Sequence, residues 1–165
     1  MKLPIHIEGI GLIMWLMLFL FVVFANDAVA DVSGTARVVD GDTIWIGKNK
    51  IRLHGIDAPE MKQICQTKKG KEQKCGQLAK QALERIVRKQ EVTCKGNNRD
   101  HYGRLIAVCF VGPININEQM VADGFALAYR KYSSDYVRAE ILAKARKEGI
   151  WGTEFAPPWE WRKRK

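Results

Sequence analysis

Thr35-Ala36-Arg37-Val38-Val39-Asp40-Gly41-Asp42-Thr43-Ile44-Trp45-Ile46-Gly47-Lys48-Asn49-Lys50-Ile51-Arg52-Leu53 reads as three short strands joined by two tight turns. Residues 35–39 and 43–46 are rich in β-branched and aromatic residues, and Asp40-Gly41-Asp42 puts a glycine where a turn needs one. Lys48-Asn49-Lys50 turns the chain again, after which Ile51-Arg52-Leu53 alternates apolar, charged, apolar up to Gly55, read as a bulge. Residues 62–74 are charged, Gln-rich and aperiodic, so a loop is expected there. From Gly76 the apolar positions Leu78, Ala79, Ala82, Leu83, Ile86 and Val87 recur at helical spacing, which predicts an amphipathic helix to about Arg88. Residues 91–94 and 105–111 supply two further strands around the turn-rich stretch 96–103. A short helix is expected after Asn117 as N-cap, ending at Gly124. A last one starts near Ser133 or Ser134 and ends by Gly149, with Tyr136, Ile141 and Ala145 facing inward. Five short strands, one helix inserted among them and others after them predict an α+β, mainly β fold. The expected architecture is a five-stranded OB-type barrel with about three helices.

The chain has 165 residues, 27 Lys+Arg against 18 Asp+Glu, a formal net charge of +9 and four cysteines. One apolar run, no short repeat and no Pro/Gly-dominated stretch exclude fibrous, low-complexity and multi-span membrane classes. The run, Gly9 to Ala25, carries no charge; it follows Met1-Lys2 and precedes Ala28-Val29-Ala30. That pattern predicts a signal peptide over residues 1–30, cut after Ala30, with an uncleaved N-terminal anchor as the alternative. Residues 31–165 then form a single exported domain, periplasmic or secreted. Such a basic domain suits a polyanionic partner: nucleic acid, anionic lipid or an acidic glycan. The terminal Arg162-Lys163-Arg164-Lys165 run is read as a solvated face.

Export lets thiols pair. Cys65, Cys75, Cys94 and Cys109 contain no CxxC spacing, and His6, His54 and His101 form no ligand pattern with them, which argues against structural zinc. Cys94 and Cys109 flank a turn-rich stretch and can face each other across a hairpin, while Cys65 and Cys75 can close the polar loop between them. The expected disulfides are therefore Cys65–Cys75 and Cys94–Cys109.

Four acids, Asp40, Asp42, Asp57 and Glu60, fall at strand ends and turns, and strand ends converge in a small barrel. Hard oxygen ligands of this kind suit Ca²⁺ or Mg²⁺ rather than a soft metal, although acids are also common in ordinary turns. Arg52 lies in a strand near them, and Arg104 follows Tyr102-Gly103 beside Asp100. Guanidinium forks bind phosphate oxygens in pairs and stabilise charge developing on phosphorus. A divalent cation, a free carboxylate and two arginines make up the components of a phosphodiesterase.

Val39-Asp40-Gly41-Asp42-Thr43, then Ile51-Arg52-Leu53-His54-Gly55-Ile56-Asp57-Ala58-Pro59-Glu60, then Asp100-His101-Tyr102-Gly103-Arg104 resemble the three signatures of the staphylococcal nuclease (thermonuclease) family in order and spacing. The likeness covers residues 33 to 162. It continues through Asn117, Val121 to Gly124, Ala128 to Ser133, and a C-terminal Pro158-Trp159-Glu160-Trp161-Arg162 similar to that of exported bacterial members. The resemblance implies a nuclease acting on DNA and RNA, leaving 3′-phosphates, with Ca²⁺ as cofactor and no protein partner. It implies that the carboxylates of Asp42 and Asp57 and the backbone carbonyl of Ala58 hold the metal. Glu60 then acts as general base or orients water, while Arg52 and Arg104 bind phosphate and stabilise the transition state. Tyr102 contacts the terminal phosphate, Tyr132 or Tyr129 packs against the nucleotide, and Asp40, Thr43 and Asp100 support these groups.

The chain departs from the best-known member at Ala58, where that member has Thr, at His101, where it has Lys, and across the cysteine-bearing stretch 62–74. Trp45, Trp151, Trp159 and Trp161 are read as packing or C-terminal docking residues, and His54 as a supporting or core polar group. Two rival readings are a non-catalytic OB-fold nucleic-acid-binding module and an anchored protein using its basic face on anionic lipid. The joint presence of Arg52, Glu60, Arg104 and both Asp ligands argues against the first. The lack of a basic amphipathic helix close to the apolar run argues against the second.

Overall fold

Strand alternation builds the barrel wall: within residues 105–111, Leu105, Ala107, Cys109 and Val111 are buried while Ile106, Val108 and Phe110 are half-buried. The computed structural model describes residues 31–164. The expected leader, residues 1–30, lies outside them. Strands β1 (Val32–Val38), β2 (Thr43–Ile46) and β3 (Asn49–Leu53) form a meander, followed by the short strand β4 (Ile56–Asp57). Next come β5 (Ile64–Thr67), β6 (Glu72–Lys74) and helix α1 (Cys75–Val87), then β7 (Glu91–Arg99), β8 (Leu105–Val111) and β9 (Ile114–Asn115). The chain finishes with α2 (Ile116–Ala122), β10 (Leu127–Ala128), α3 (Val137–Arg146), β11 (Thr153–Glu154) and the one-turn α4 (Pro158–Trp161).

β3, β2, β1, β7 and β8 pair in that order, and a parallel pairing of β3 with β8 closes them into a five-stranded barrel. This is the OB-type α+β fold expected, with four helices among the described residues. Ile44, Ile51, Leu53, Val92 and Leu83 fill the core at no more than 1% exposure. Each contributes about 1.5–3 kcal/mol by leaving water. Helix α1 buries Ala79, Ala82, Leu83 and Val87, the stripe its periodicity specifies. Both expected disulfides form: Cys94 and Cys109 are cross-strand partners on β7 and β8, and Cys65 links to Cys75 at the start of α1. No helix among the described residues is long and apolar enough to cross a membrane.

Four local expectations are corrected. The expected loop 62–74 is a β5/β6 hairpin extended by β11, held by backbone pairing and by Cys65–Cys75 rather than by alternating apolar side chains. That is why hydropathy does not reveal it. Gly55 is a left-handed turn residue, φ 73°, not a bulge; a side chain there would run into Tyr136. The last helix begins at Val137, after a turn at 133–136, and it buries Glu140 and Ala143, while Ile141 and Ala145, expected to face inward, are exposed.

The cap of α2 is Asn115, whose side chain accepts from the Glu118 N–H, and not Asn117. Asn117 is instead fully buried. Its amide nitrogen donates to the carbonyls of His54 (2.9 Å) and Ala107 (3.2 Å), and its amide oxygen accepts from the Cys109 N–H (3.1 Å). It thus ties the end of β3 to β8 just behind the strand ends that carry the acids. Asn117→Ala takes the side-chain partner from the His54 carbonyl and the Cys109 N–H, while the Ala107 carbonyl keeps the His54 N–H, and is expected to destabilise the domain by about 3 kcal/mol, read from denaturant midpoints at constant slope.

Candidate active site

The parallel register of β3 on β8 sets Ile51 beside Leu105 and Arg52 beside Ile106, so Arg52 and the residue preceding β8, Arg104, arrive at one end of the barrel. The Asp40–Asp42 turn arrives there from β1 and β2. Within it the Asp42 N–H donates to Asp40 Oδ1 at 3.1 Å. Asp42 is buried, with Oδ1 accepting from the Thr43 hydroxyl (3.1 Å) and Oδ2 from the Ala58 N–H (2.9 Å). Asp57 is fully buried and held in place by the pairing of β4 with β10, where it faces Leu127. Arg52 makes an ion pair with Asp42 and donates from Nη2 to Asp57 Oδ1 at 2.9 Å, joining the two carboxylates. Burial pushes the Asp40 carboxyl up despite its bonds with Thr43 and the nearby arginines. Burial likewise draws the Arg52 guanidinium down, against the pull of Asp57.

Arg104 is aimed by Asp100. Oδ2 accepts from Arg104 Nε and Nη2, each at 2.7 Å, while Oδ1 accepts from the Tyr102 and Arg104 backbone N–H groups at 3.0 Å. Burial raises the Asp100 carboxyl, but these bonds outweigh it and hold the group below the ordinary carboxylate range. Tyr102 is 73% exposed, lies beside His101 and has the Arg104 guanidinium 5.4 Å from its ring centre. A cleft of about 690 Å³ runs between this turn and the acids. Asp40, Asp42, Arg52, Ala58, Glu60, Asp100, Tyr102, Arg104 and Tyr132 all line it, and so do His54 and His101. Thr43 and Asp57 stand directly behind the lining, bonded to Asp42 and Arg52.

Glu60 is positioned from below and from behind. Its N–H donates to Gln63 Oε1 at 3.2 Å, and its carbonyl packs so closely over Gly76 that any Cβ there would overlap it. Gln63, fully buried, also donates from Nε2 to the Ala156 carbonyl at 2.7 Å and so couples Glu60 to the C-terminal segment. That segment docks by stacking Trp159 flat on Tyr129, with ring centres 5.6 Å apart and planes 2° apart. Tyr129 in turn meets the exposed Tyr132 edge-on at 4.9 Å. The docking role expected for the C-terminal tryptophans therefore holds for Trp159. It also carries Arg162 out of the solvated tail expected for residues 162–165: Arg162 donates to Asp57 and Glu60 and lines the cleft. Its signal was the Pro157-Pro158-Trp159 block just upstream, apolar residues that have to be buried somewhere. Glu140 was also missed; buried on α3, it accepts from the Ala128 N–H at 2.9 Å and pairs with Arg130, fixing the strand beside Asp57.

Residues 50–153 match the family model described as staphylococcal nuclease homologue. The chain belongs to the staphylococcal nuclease family. It is 34% identical over 160 residues to an uncharacterized endonuclease of Escherichia coli O157:H7, covering 92% of this chain and 98% of that one. It is 35% identical over 156 residues to a micrococcal nuclease of Shigella flexneri, covering 82% and 83%. A succinoglycan biosynthesis protein, ExoI, of Rhizobium meliloti is 32% identical over 127 residues, covering 75% of this chain and 66% of that protein. As a member of this metal-dependent nuclease family the chain is a phosphodiester hydrolase, and its substrate is nucleic acid. The match takes in Arg52, β4, Ala58 to Glu60 and the Asp100–Arg104 turn, which line or back the cleft, while Asp40, Asp42 and Arg162 lie outside it.

Proposed function

We propose that the chain is an exported, Ca²⁺-dependent nuclease that cuts DNA and RNA with little sequence preference and leaves 3′-phosphates. The observation that carries this reading is the convergence of Glu60, Arg52 and Arg104 on one cleft with the Asp42 and Asp57 carboxylates. The donor set fits a hard divalent cation: it consists of carboxylate and carbonyl oxygens, and a cationic side chain, Arg162, is already drawn onto Asp57. Asp42, Asp57 and the Ala58 carbonyl would hold the ion, which when bound polarises a phosphoryl oxygen and offsets developing negative charge.

The chain's own groups supply the rest. Arg52 and Arg104 donate paired N–H groups to the non-bridging phosphate oxygens, with Arg104 held in orientation by Asp100 before substrate arrives. Glu60, partly exposed at the cleft edge, takes a proton from the attacking water. Tyr132 and Tyr129 offer ring faces and edges to a base, a mode of contact that tolerates any sequence. The net charge of +9 draws polyanions toward the cleft and makes binding fall with salt. Export is supported by the apolar run from Gly9 to Ala25 followed by Ala28-Val29-Ala30 and by two disulfides in the domain that follows.

Digestion of matched single-stranded DNA and RNA oligonucleotides in Ca²⁺, followed by end-group analysis, tests the substrate range and the regiochemistry. Both strands are expected to be cut, with products bearing phosphatase-sensitive 3′ ends. Products with 5′-phosphates, or cleavage of one polymer alone, would contradict the proposal.

A further inference from the structure

Arg162 occupies the metal-side carboxylates with the geometry of a ligand. Its guanidinium forks onto Asp57, Nη1 to Oδ1 at 3.1 Å and Nη2 to Oδ2 at 2.9 Å, while Nη1 also donates to Glu60 Oε1 at 2.8 Å. Asp57 is fully buried, so this fork takes up both oxygens of a carboxylate that solvent does not reach. Arg52 already donates to one of those oxygens, leaving Asp57 between two guanidinium groups. The contact is built in, because α4 is fixed by the Trp159–Tyr129 stack, by buried Pro158 and by the Gln63–Ala156 bond. Arg162 itself keeps 38% of its side chain exposed, so it can swing outward without unfolding anything.

Oδ1 already accepts from two guanidinium groups and Oδ2 from one, so a metal ion coming onto Asp57 meets the Arg162 fork at both oxygens. We infer that Arg162 is an internal counter-cation that competes with the divalent metal for Asp57 and masks Glu60 until the metal displaces it. The inference rests on the proposed Ca²⁺ site and adds a residue that sets how much metal that site demands. With Arg162 engaged, Glu60 Oε1 is already accepting a charged hydrogen bond, which lowers the basicity of the carboxylate, so the metal-poor protein is held idle. Displacement frees Glu60 and turns the Arg162 charge toward the cleft mouth, where phosphate enters.

The test is Ca²⁺ binding to the purified full chain by titration calorimetry, without nucleic acid, for wild type, Arg162→Gln and Arg162→Lys, with melting temperatures as a folding check. Arg162→Gln is expected to bind Ca²⁺ about tenfold more tightly, since a charged fork on a buried carboxylate no longer has to be displaced. Arg162→Lys should fall between, because an ammonium keeps the charge but not the fork. A chain ending at Trp161 should reproduce the Gln result and guards against a folding defect peculiar to that variant. Wild-type binding with unchanged or weaker affinity in Arg162→Gln and in the shortened chain would overturn the inference and leave the metal site standing. No Ca²⁺ binding to any of these chains would overturn the metal site and the inference together.

Discussion

Glu60→Gln is expected to lower kcat on denatured DNA by about a hundredfold or more, the range for loss of a positioned general base. The substitution preserves size and can still accept from Arg162, so the backbone anchors of residue 60 persist: the Gln63 side chain on its N–H and Gly76 beneath its carbonyl. What it removes is the capacity to take up a proton. The loss should therefore appear in kcat with KM and melting temperature nearly unchanged, the pattern of a group that acts only in the transition state. A loss of less than about tenfold, worth about 1.4 kcal/mol, would remove Glu60 from the proton-transfer role.

Arg104→Ala should cost about 10²–10³ in kcat, the size measured when one pre-oriented donor to a developing negative charge is deleted. The value of Arg104 lies in its orientation. Asp100 takes its Nε and one Nη, leaving the remaining N–H groups to project into the cleft. Arg104→Lys should recover only part of the loss, since an ammonium restores charge without the fork. Equal kcat in the Ala variant with only KM raised would show that Arg104 binds ground-state phosphate and nothing more.

The barrel was legible in the sequence because its strand segments are short runs of β-branched and other apolar residues between turns, as 105–111 is, and because α1 repeats apolar residues at helical spacing. Most of the cleft was legible too, since Asp40, Asp42, Asp57, Glu60, Arg52 and Arg104 stand in short segments with recognisable turns. Four things were not. The parallel β3–β8 closure that brings Arg52 and Arg104 together is a pairing between residues more than fifty apart, and no local pattern encodes it. The β5/β6 hairpin is held by backbone bonds and a disulfide, so its polar side chains read as loop. Gln63, Asn117 and Glu140 are buried polar residues whose partners are chiefly backbone groups of distant segments, and a polar residue in a sequence is by default placed outside. Arg162 is the sharpest case: its own charge run suggests solvent, and only the docking of Trp159, just upstream, carries it into the site.

Hydrolysis of heat-denatured DNA by the purified protein during a Ca²⁺ titration, followed by excess chelator, shows directly whether these residues form a metal-requiring phosphodiesterase. Cleavage that rises to saturation with Ca²⁺ and stops on chelation is the result predicted. Tight binding of the DNA with no cleavage at any divalent metal tested would contradict it and leave a barrel that holds nucleic acid without cutting it.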